Sequence, residues 1–338
     1  MKIFVTGGSG FVGTNLIRLL VSEGHDVRAL VRPGSLRTHL ADLPPERLEW
    51  VEGDLTAPDT LRPALEGCKH LYHVAAVYRL WARDEKRTYA ANVGGTRAIL
   101  EAARDAGVER AVHTSSVAVL GGSPDRTPLD ESADPGVEAL YGSYRKSKYL
   151  AEKEALAVHA TGFPVVVVNP SAPVGPWDVK PTATGKLILD FLRGKIPAYI
   201  ETGLNLVDVR DVTRGHLLAM EKGRPGERYV LANRNLTLKE VFEVLAGVTG
   251  LKAPRIRIPH SLALLMAYAN EYLSNYVTRR APRIPVAGVR HAGNYMFYRS
   301  DKAVRELGIP QTPVETALTD AARWFEDYGY ISGRPRFS

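Results

Sequence analysis

A glycine-rich turn follows directly on the first apolar run of the chain, and it restricts the possible folds more than any other feature. Residues 3–5 are β-branched or aromatic, and apolar residues recur at helical spacing from Leu16 to Leu20. This order predicts a strand, a tight turn and a helix. Glycines here permit the turn, the approach of a pyrophosphate, and close packing of the helix on the strand. The turn therefore predicts a dinucleotide site formed by Thr6, Gly7, Gly10, Phe11, Val12 and Gly13.

The second predicted strand, residues 27–31, ends at a basic residue. Arg32 stands where an enzyme that binds NAD usually carries an acidic residue for the ribose hydroxyls. A guanidinium at that place matches the 2′-phosphate of NADP, with Ser35 and Arg37 as further donors. The sequence therefore predicts NADP as the cofactor, with NAD as the alternative.

Two further strands end in residues that suit a bound dinucleotide. Residues 48–51 lead to Asp54 and Leu55, and Asp54 is predicted to accept a hydrogen bond from the adenine amine. A helix N-cap is the other role that fits this aspartate. Residues 71–76 end in Ala75 and Ala76, and such small residues let a flat cofactor lie close to the backbone.

Tyr144 and Lys148 are four residues apart in a segment with a helical pattern. This spacing places both side chains on one face, with Cβ atoms about 6 Å apart. A neighbouring ammonium group favours the phenolate, and lowering the pKa of a tyrosine from about 10 to about 7 requires roughly 4 kcal/mol. Ser116, at the end of the strand predicted at 111–116, would hold a substrate carbonyl oxygen. Ser115 is assigned a turn or strand role, although alternation alone does not separate the two serines.

The second half of the chain is less regular. Residues 165–168 are four consecutive valines, which predict a parallel strand buried on both faces. Residues 171–177 are rich in proline and are predicted to be irregular chain around the nicotinamide, with contacts from Pro170 and Val174. Helical patterns at 262–276 and 314–328 predict a smaller, mainly helical part.

These elements predict an α/β fold with a doubly wound parallel sheet of the Rossmann type. The predicted domains are an NADP-binding domain at 1–170 and a substrate-binding domain at 171–338, from which segments such as 205–220 return to the first.

Composition narrows the function classes. The 338 residues include 44 Lys and Arg against 37 Asp and Glu, a net charge of +7, and the basic residues are scattered. Nucleic acid binding is therefore not expected, while a modest positive field suits a phosphorylated cofactor or loose approach to an anionic membrane. No apolar run approaches the roughly 18 residues of a membrane span. A cytoplasmic protein without an integral membrane segment is predicted, with peripheral membrane association left open. The single Cys68 lacks the partners of a disulfide or metal site.

The glycine turn, Asp54 and Leu55, Ser116, and the pair Tyr144 and Lys148 occur in an order that resembles the extended short-chain dehydrogenases/reductases, the NAD-dependent epimerase/dehydratase family. The resemblance covers nearly the whole chain. It implies a Ser-Tyr-Lys catalytic set, a sheet-bracing role for Asn92, and a homodimer formed by two-helix packing on the Rossmann part. Segments 78–84, 113–118 and 169–176 are similar to hopanoid-associated sugar epimerases, which are close to dihydroflavonol 4-reductases and hydroxysteroid dehydrogenases.

One departure from that family bears on the substrate. Sugar-nucleotide epimerases usually carry an arginine, in a stretch Arg-Asp-Tyr-x-His-Val, that binds the substrate diphosphate; this chain has Leu204 at the corresponding position. Leucine cannot pair with phosphate. Together with Arg32, this favours net reduction by NADPH over the recycling of a held NAD.

The leading hypothesis is an NADP-dependent oxidoreductase that reduces a ketone or aldehyde, or oxidises the alcohol. Tyr144 would give its proton to the oxygen, Lys148 would lower the pKa of Tyr144 and bind the nicotinamide ribose, and Ser116 would orient the carbonyl. The alternatives are a nucleoside-diphosphate-sugar epimerase or dehydratase that forms a transient keto-sugar with bound NAD(P), and a cofactor-binding regulator without turnover. The candidate substrate-side residues follow predicted strand ends: Tyr78, Trp81, Lys180 and Thr182.

Overall fold

The structure is a computed structural model, and it describes residues 1–78, 85–274 and 286–331. The strands are β1 (Lys2–Thr6), β2 (Asp26–Val31), β3 (Leu48–Glu52), β4 (His70–His73), β5 (Arg110–Thr114), β6 (Val165–Pro170), β7 (Ala172–Val174), β8 (Ala198–Ile200), β9 (Gly203–Asp208), β10 (Arg228–Leu231), β11 (Arg234–Thr237) and β12 (Ile256–Ile258). The α-helices are α1 (Phe11–Ser22), α2 (Leu61–Leu65), α3 (Glu85–Tyr89), α4 (Gly95–Asp105), α5 (Ser143–Ala160), α6 (Ala183–Leu192), α7 (Val209–Lys222), α8 (Leu238–Thr249), α9 (His260–Leu273), α10 (Val286–His291), α11 (Asp301–Leu307) and α12 (Val314–Asp327). A π-helical turn, Ala90–Gly94, separates α3 from α4.

Seven strands form a parallel sheet in the order β10-β6-β5-β4-β1-β2-β3. The valines of β6, Val165 to Val168, are 0% exposed, as expected for a central parallel strand covered on both faces. Helices α1, α7 and α11 cover one face through Leu16, Leu217 and Leu307. Helices α2, α4 and α5 cover the other. The predicted doubly wound α/β fold is confirmed.

The sheet has a switch point between β1 and β4. From β1 the chain proceeds outward through β2 and β3, and it then returns to the other side of β1 as β4. Thr6 at the end of β1 is paired with His73 at the end of β4. Such a switch point opens a crevice beyond the carboxyl ends of the strands, where open α/β sheets bind ligands. The glycine turn lies at this crevice.

The C-terminal part contains a three-stranded sheet in the order β11-β9-β7, packed against α6, α8 and α12. The prediction that residues 171–177 are irregular is wrong for Ala172–Val174, which pair in parallel with β9 as strand β7. Pro173 is tolerated there because β7 is an edge strand, where a missing N–H breaks no ladder. Helix α8 begins with a capping box between Thr237 and Glu240.

A smaller layer lies beyond this sheet. Strands β8 and β12 pair in parallel, and α9 packs against α10 beside them through Ala267 and Val289. In the described parts of the chain, no helix combines the length and apolar character needed to cross a membrane. The predicted boundary between domains at residue 170 stays a prediction, since β10 of the central sheet follows it in sequence.

Candidate active site

The glycine turn is shaped by two close approaches. Gly7 has a φ of +75°, and a Cβ atom there would lie 2.6 Å from the backbone nitrogen of Ala75. A Cβ atom on Gly13 would lie 2.1 Å from the carbonyl oxygen of Gly7. Only glycine fits either position. Because Gly10, the residue before α1, has no side chain to cap the helix, the amides of the first turn face the crevice unblocked.

Arg32 lies directly after β2 and is exposed. The amide of Ser35 donates to the carbonyl oxygen of Arg32 at 3.1 Å, which closes a turn at the edge of the crevice. Arg37 is engaged elsewhere: it pairs with Glu52 at 3.0 Å and lies 5.6 Å from the centre of the Trp50 ring. Within the described chain, Arg32 forms no ion pair, so it is the arginine of this turn that remains available to an anion.

Asp54 and Ala75 flank the crevice on the opposite sides of β1. One carboxylate oxygen of Asp54 accepts from the amide and hydroxyl of Thr56, at 2.8 and 2.7 Å. Burial acts to raise the pKa of Asp54, but the Thr56 hydrogen bonds and the charge of Arg32 outweigh it, and the pKa is lowered. Asp54 therefore stays ionised. The amide of Ala75 donates to the hydroxyl of Thr6 at 3.1 Å and fixes the loop that leads to Ala76.

Tyr144 and Ser116 meet at the carboxyl end of β5. The Ser116 hydroxyl accepts from the amide of Ala118 at 3.1 Å and is near enough to the Tyr144 hydroxyl to act on its pKa. Ser115 is instead buried, and the described residues offer its hydroxyl no hydrogen-bond partner. The structure thus brings Ser116 to the tyrosine, while the chemical role assigned to it stays a prediction.

The pKa of Tyr144 differs from the expectation. Burial and the neighbouring Tyr78 raise the pKa of Tyr144 above its ordinary value, while the nearby Ser116 hydroxyl and the charge of Arg145 act in the opposite direction. The four-residue spacing predicts instead that Lys148 lowers the pKa of the Tyr144 phenol. In the structure the ammonium group of Lys148 donates to the carbonyl oxygen of Thr114 at 2.6 Å. Tyr144 consequently holds its proton at neutral pH.

Lys148 is a residue of α5 and is only 2% exposed. Its ammonium group reaches the end of β5. Burial lowers its pKa to about 8, against an opposing effect of the Glu152 carboxylate. The bond to Thr114 occupies one of the three ammonium protons. The other two remain to bind a hydroxyl group at the crevice.

Arg145 is a cation of this site that the sequence analysis missed. Its guanidinium is half-buried, 3.4 Å from the sulfur of Met296. Burial lowers its pKa, while Tyr298, Tyr144 and Tyr78 act to raise it, which places all three phenols around one charge. No described carboxylate lies within ion-pair distance. A basic residue in a helix is usually solvated, so the pattern alone gave no signal of this position.

Asn92 joins the strand ends to the helix that carries Tyr144. It is 2% exposed, accepts from the amide of Val77 at 2.7 Å and donates to the Ser147 hydroxyl at 3.0 Å. Ser147 in turn donates to the carbonyl oxygen of Tyr144 at 2.9 Å. Asn92 lies in the π-helical turn, a distortion that is frequent at functional sites. The bracing role implied by the family resemblance is consistent with these bonds.

A second network supports Ser116 from behind. Asn169 donates to the carbonyl oxygen of Ser116 at 3.2 Å and to Glu152 at 2.8 Å. Glu152 is 3% exposed on its side chain and pairs with Arg228 at 2.9 Å. Because the carboxylate is buried and paired, breaking this pair would leave a buried charge without compensation.

Buried neutral histidines line the strand ends below Lys148. His73 donates through Nε2 to Thr96 and accepts through Nδ1 from Thr6, at 2.9 and 2.8 Å. Burial lowers its pKa to about 3, with the charge of Lys148 acting in the same direction. His113 stacks on it, with ring centres 5.2 Å apart. These rings carry no charge at neutral pH and fill the space under the site.

The structure gives the predicted substrate-side residues different surroundings. Tyr78 contacts Tyr144 edge to face, with ring centres 4.7 Å apart, and is 46% exposed. Trp81 lies outside the described residues. Lys180 is exposed. Thr182 caps α6, where its hydroxyl donates to Asp178 and accepts from the amide of Gly185, at 2.9 and 3.1 Å.

The segment after β6 closes the crevice over α1. Pro170 and Val174 are buried, and the carbonyl oxygen of Pro176 accepts from Asn15 of α1 at 3.1 Å. Trp177 has a φ of +71°, a conformation that residues other than glycine seldom adopt. The guanidinium carbon of Arg18 lies 3.4 Å from the centre of the Trp177 ring.

Known proteins resemble this chain over nearly its whole length. The model of the family described as "NAD dependent epimerase/dehydratase family" matches residues 3–232. The chain is 48% identical over 332 residues to a putative dihydroflavonol 4-reductase from Synechocystis sp., covering 97% of this chain and 95% of the relative. It is 35% identical to sterol demethylase protein B from Methylococcus capsulatus, covering 98% of this chain and 100% of the relative. It is also 35% identical to a 4-hydroxy-2-methyl-3-oxo-4-farnesyl-3,4-dihydroquinoline-1-oxide ketoreductase from Stigmatella aurantiaca, covering 96% of each protein.

Solved structures show the same fold. The structure of gox2253 is 43% identical and superimposes with a TM-score of 0.86, covering 98% of this chain and 99% of the other. A nucleoside-diphosphate-sugar epimerase from Pseudomonas aeruginosa is 27% identical with a TM-score of 0.81, covering 98% of this chain and 99% of the other. The chain therefore belongs to the NAD dependent epimerase/dehydratase family and is an NAD(P)-dependent oxidoreductase.

Proposed function

We propose that the protein is an NADP-dependent oxidoreductase that reduces a ketone or aldehyde, or oxidises the corresponding alcohol. The observation that carries the proposal is that three side chains meet at the end of one strand. Tyr144 lies beside Ser116, and the buried Lys148 donates to the carbonyl oxygen of Thr114. These groups lie at the carboxyl edge of the sheet, near the switch point and the glycine turn. NADPH, when bound, supplies a hydride to the carbonyl carbon.

The residues of the chain fit such a cofactor. The turn formed by Gly7 and Gly13 has no space for a Cβ atom, and its helix amides suit a pyrophosphate. Arg32 suits the 2′-phosphate of NADP, and Asp54 suits the adenine amine through the carboxylate oxygen that Thr56 leaves open. The two spare ammonium protons of Lys148 suit the ribose hydroxyls of the nicotinamide half.

The catalytic step needs a proton donor beside the carbonyl oxygen. Ser116 holds that oxygen by a hydrogen bond, and Tyr144 donates its proton as negative charge develops there. The raised pKa of Tyr144 suits this direction, since a tyrosine that keeps its proton at neutral pH is ready to act as the acid. In alcohol oxidation the same residue must first lose the proton, so oxidation is expected to accelerate as the pH rises.

We propose an apolar, ring-containing ketone or alcohol as the substrate class. The names of two relatives refer to a sterol and to a farnesylated quinoline. Tyr78, which is 46% exposed, forms an aromatic wall beside Tyr144, with ring centres 4.7 Å apart. Such a wall suits a polycyclic or isoprenoid compound better than a sugar.

A nucleotide sugar remains the second candidate, because a solved sugar epimerase shares the fold and family. Leu204 makes a nucleotide sugar less favourable. This residue lies in β9, paired with Met296, and offers no charge to a diphosphate. Arg145, which contacts Met296, is a cation near this position that suits the diphosphate of a nucleotide sugar. Net consumption of NADPH identifies a reductase, whereas a tightly held NAD and sugar interconversion without net consumption identify an epimerase.

The test is calorimetric titration with NADPH and NADH, followed by a carbonyl panel with Tyr144→Phe. We expect this variant to keep its NADPH affinity and to lose at least about 100-fold in turnover. Tyr149→Phe is the matched control, because Tyr149 lies on the same helix and its hydroxyl donates to Asp134 at 2.7 Å, away from the site. Full turnover by Tyr144→Phe with unchanged NADPH affinity would show that the assignment is wrong.

A further inference from the structure

Helix α9 turns its large apolar side chains outward. Leu262, Leu265, Met266, Tyr272 and Leu273 are 47%, 66%, 44%, 64% and 49% exposed. Their spacing of three or four residues places them on one face of the helix. The opposite face, which packs against the protein, carries the small residues Ala263 and Ala267. This is the reverse of the pattern expected for a helix on a water-exposed surface.

The packing of α9 against α10 fixes which face of α9 points outward. Ala263 and Ala267 pack against Val286 and Val289 of α10. The acidic residue of α9, Glu271, accepts from the amide of Val286 at 2.9 Å. His260 donates to the carbonyl oxygen of Val289 at 2.7 Å. The apolar stripe is therefore a preformed surface.

Cationic residues border this stripe. Lys252, Arg255 and Arg257 are exposed in the chain that leads into α9, and Ile256 between them is 64% exposed. Arg290 is exposed on α10. Two acidic residues lie at this rim. Glu201 is 3.6 Å from Arg257 and 3.1 Å from Arg126, and Glu243 lines one cavity with Lys252 and Arg255. An apolar strip with a basic border matches the headgroup region of an anionic bilayer, where apolar side chains insert and Lys and Arg meet lipid phosphates.

We propose that α9 docks the protein onto the surface of an anionic phospholipid bilayer. The helix has 14 residues, so its length is about 21 Å, and it lies in the interface instead of crossing a hydrocarbon core of about 30 Å. A second copy of the chain fits this surface less well. A two-fold contact through α9 would bring the basic borders of both copies into one interface, and accumulating like charge there disfavours association.

The docking surface lies next to the candidate active site. The guanidinium carbon of Arg290 is 5.7 Å from the centre of the Tyr268 ring on α9 and 5.1 Å from the centre of the Tyr141 ring. Tyr141 immediately precedes the segment that starts helix α5, which carries Tyr144. Docking would therefore hold the catalytic helix close to the lipid surface. This consequence for substrate delivery rests on the proposed function, whereas the docking itself does not.

The test is co-sedimentation of the full chain with vesicles of phosphatidylcholine alone and of phosphatidylcholine mixed with phosphatidylglycerol. We expect binding to the anionic vesicles and little to the neutral ones. Leu265→Gln combined with Met266→Gln should reduce the partition coefficient at least tenfold, because two inserted apolar side chains are lost. Arg255→Gln combined with Arg257→Gln should reduce it about 30-fold, and high salt should have a similar effect.

Matched controls lie on the Rossmann part. Val304→Gln removes another exposed apolar side chain, which is 41% exposed, and Arg62→Gln with Lys69→Gln removes two exposed charges. These controls should bind vesicles like the unaltered protein. Circular dichroism and thermal unfolding of every variant check the fold without cofactor or substrate, so a failure of the proposed function is distinguishable from a failure of docking.

Three outcomes would overturn the proposal. The first is unaltered protein that remains in the supernatant with anionic vesicles. The second is unchanged vesicle binding by the variant with Leu265→Gln and Met266→Gln. The third is light scattering that shows a dimer dissociated by this variant, with no vesicle binding, since α9 would then be a contact between copies of the chain.

Discussion

Replacement of Arg32 by glutamine tests the cofactor preference at one side chain. Arg32 is exposed at the end of β2, and its backbone carbonyl closes a turn with Ser35. We expect Arg32→Gln to weaken NADPH binding and to leave NADH binding nearly unchanged, because only NADPH carries the 2′-phosphate. Glutamine retains a polar side chain of similar length and removes the charge.

The magnitude follows from the exposure of the site. Two unit charges about 4 Å apart interact by about 1 kcal/mol in water and about 4 kcal/mol near a protein surface. Arg32 is exposed, so a value near the lower limit applies for each phosphate charge, and a phosphate monoester carries about −1.5 to −2 at neutral pH. The expected loss is about 2 kcal/mol, or about 30-fold in NADPH affinity. Raising the salt concentration should narrow the difference.

Arg37→Gln is the matched control for the same turn. Arg37 pairs with Glu52 at 3.0 Å and is therefore less available to a ligand phosphate. Isothermal titration of both variants with NADPH and NADH should show a change below about threefold for Arg37→Gln. Equal losses of NADPH and NADH affinity in Arg32→Gln, or a lost preference in Arg37→Gln alone, would refute the assignment.

Three further predictions concern the site and its support. Arg145→Gln should raise the apparent pKa of Tyr144 in alcohol oxidation by about one unit, because one nearby cation is removed; a pH profile identical to that of the unaltered enzyme would contradict this. Burial raises the pKa of Asp178 to about 6 from 3.8. The protonated Asp178 carboxyl therefore stabilises the folded protein fully below about pH 4. As the pH rises to about 6 and the carboxyl ionises, the free energy of unfolding should fall by up to about 3 kcal/mol. Urea unfolding of Asp178→Asn should lack this decline. Asn92→Ala removes bonds to Val77 and Ser147 and should cost about 2 kcal/mol in thermal unfolding, whereas an unchanged melting temperature would exclude a bracing role.

The fold was predictable where local chemistry decides it. The four valines of β6 predicted their strand because burial on both faces leaves its mark on a few consecutive residues. Strand β7 was missed because two prolines in 171–177 suggest irregular chain, while an edge position that tolerates Pro173 depends on the neighbouring strand. The helix α9 was predicted from its spacing. Periodicity does not indicate which face of a helix points inward, so the exposed side of Leu265 was visible only in the structure.

The candidate site was predictable as a set of residues and not as an electrostatic arrangement. Spacing alone placed Tyr144 and Lys148 on one helix face, but the acceptor for Lys148 is the carbonyl oxygen of Thr114, which a distant strand supplies. Arg145 is a second cation beside Tyr144, and two of its neighbours, Met296 and Tyr298, come from the C-terminal part of the chain. Both depend on tertiary packing that a local pattern does not encode.

The pKa values of Tyr144 and Lys148 imply that pH determines whether the site favours carbonyl reduction or alcohol oxidation. Burial raises the pKa of Tyr144 and lowers that of Lys148 to about 8, so at neutral pH both side chains carry protons. A protonated tyrosine beside Ser116 is competent to reduce a carbonyl, and it must be deprotonated before it accepts a proton from an alcohol. The two reactions should therefore have opposite pH dependences, with reduction falling and oxidation rising as Tyr144 loses its proton. Arg145 affects both reactions through the pKa of Tyr144. Its positive charge favours the deprotonation of Tyr144 that oxidation requires. The same charge makes Tyr144 a stronger acid, which favours the proton transfer in reduction.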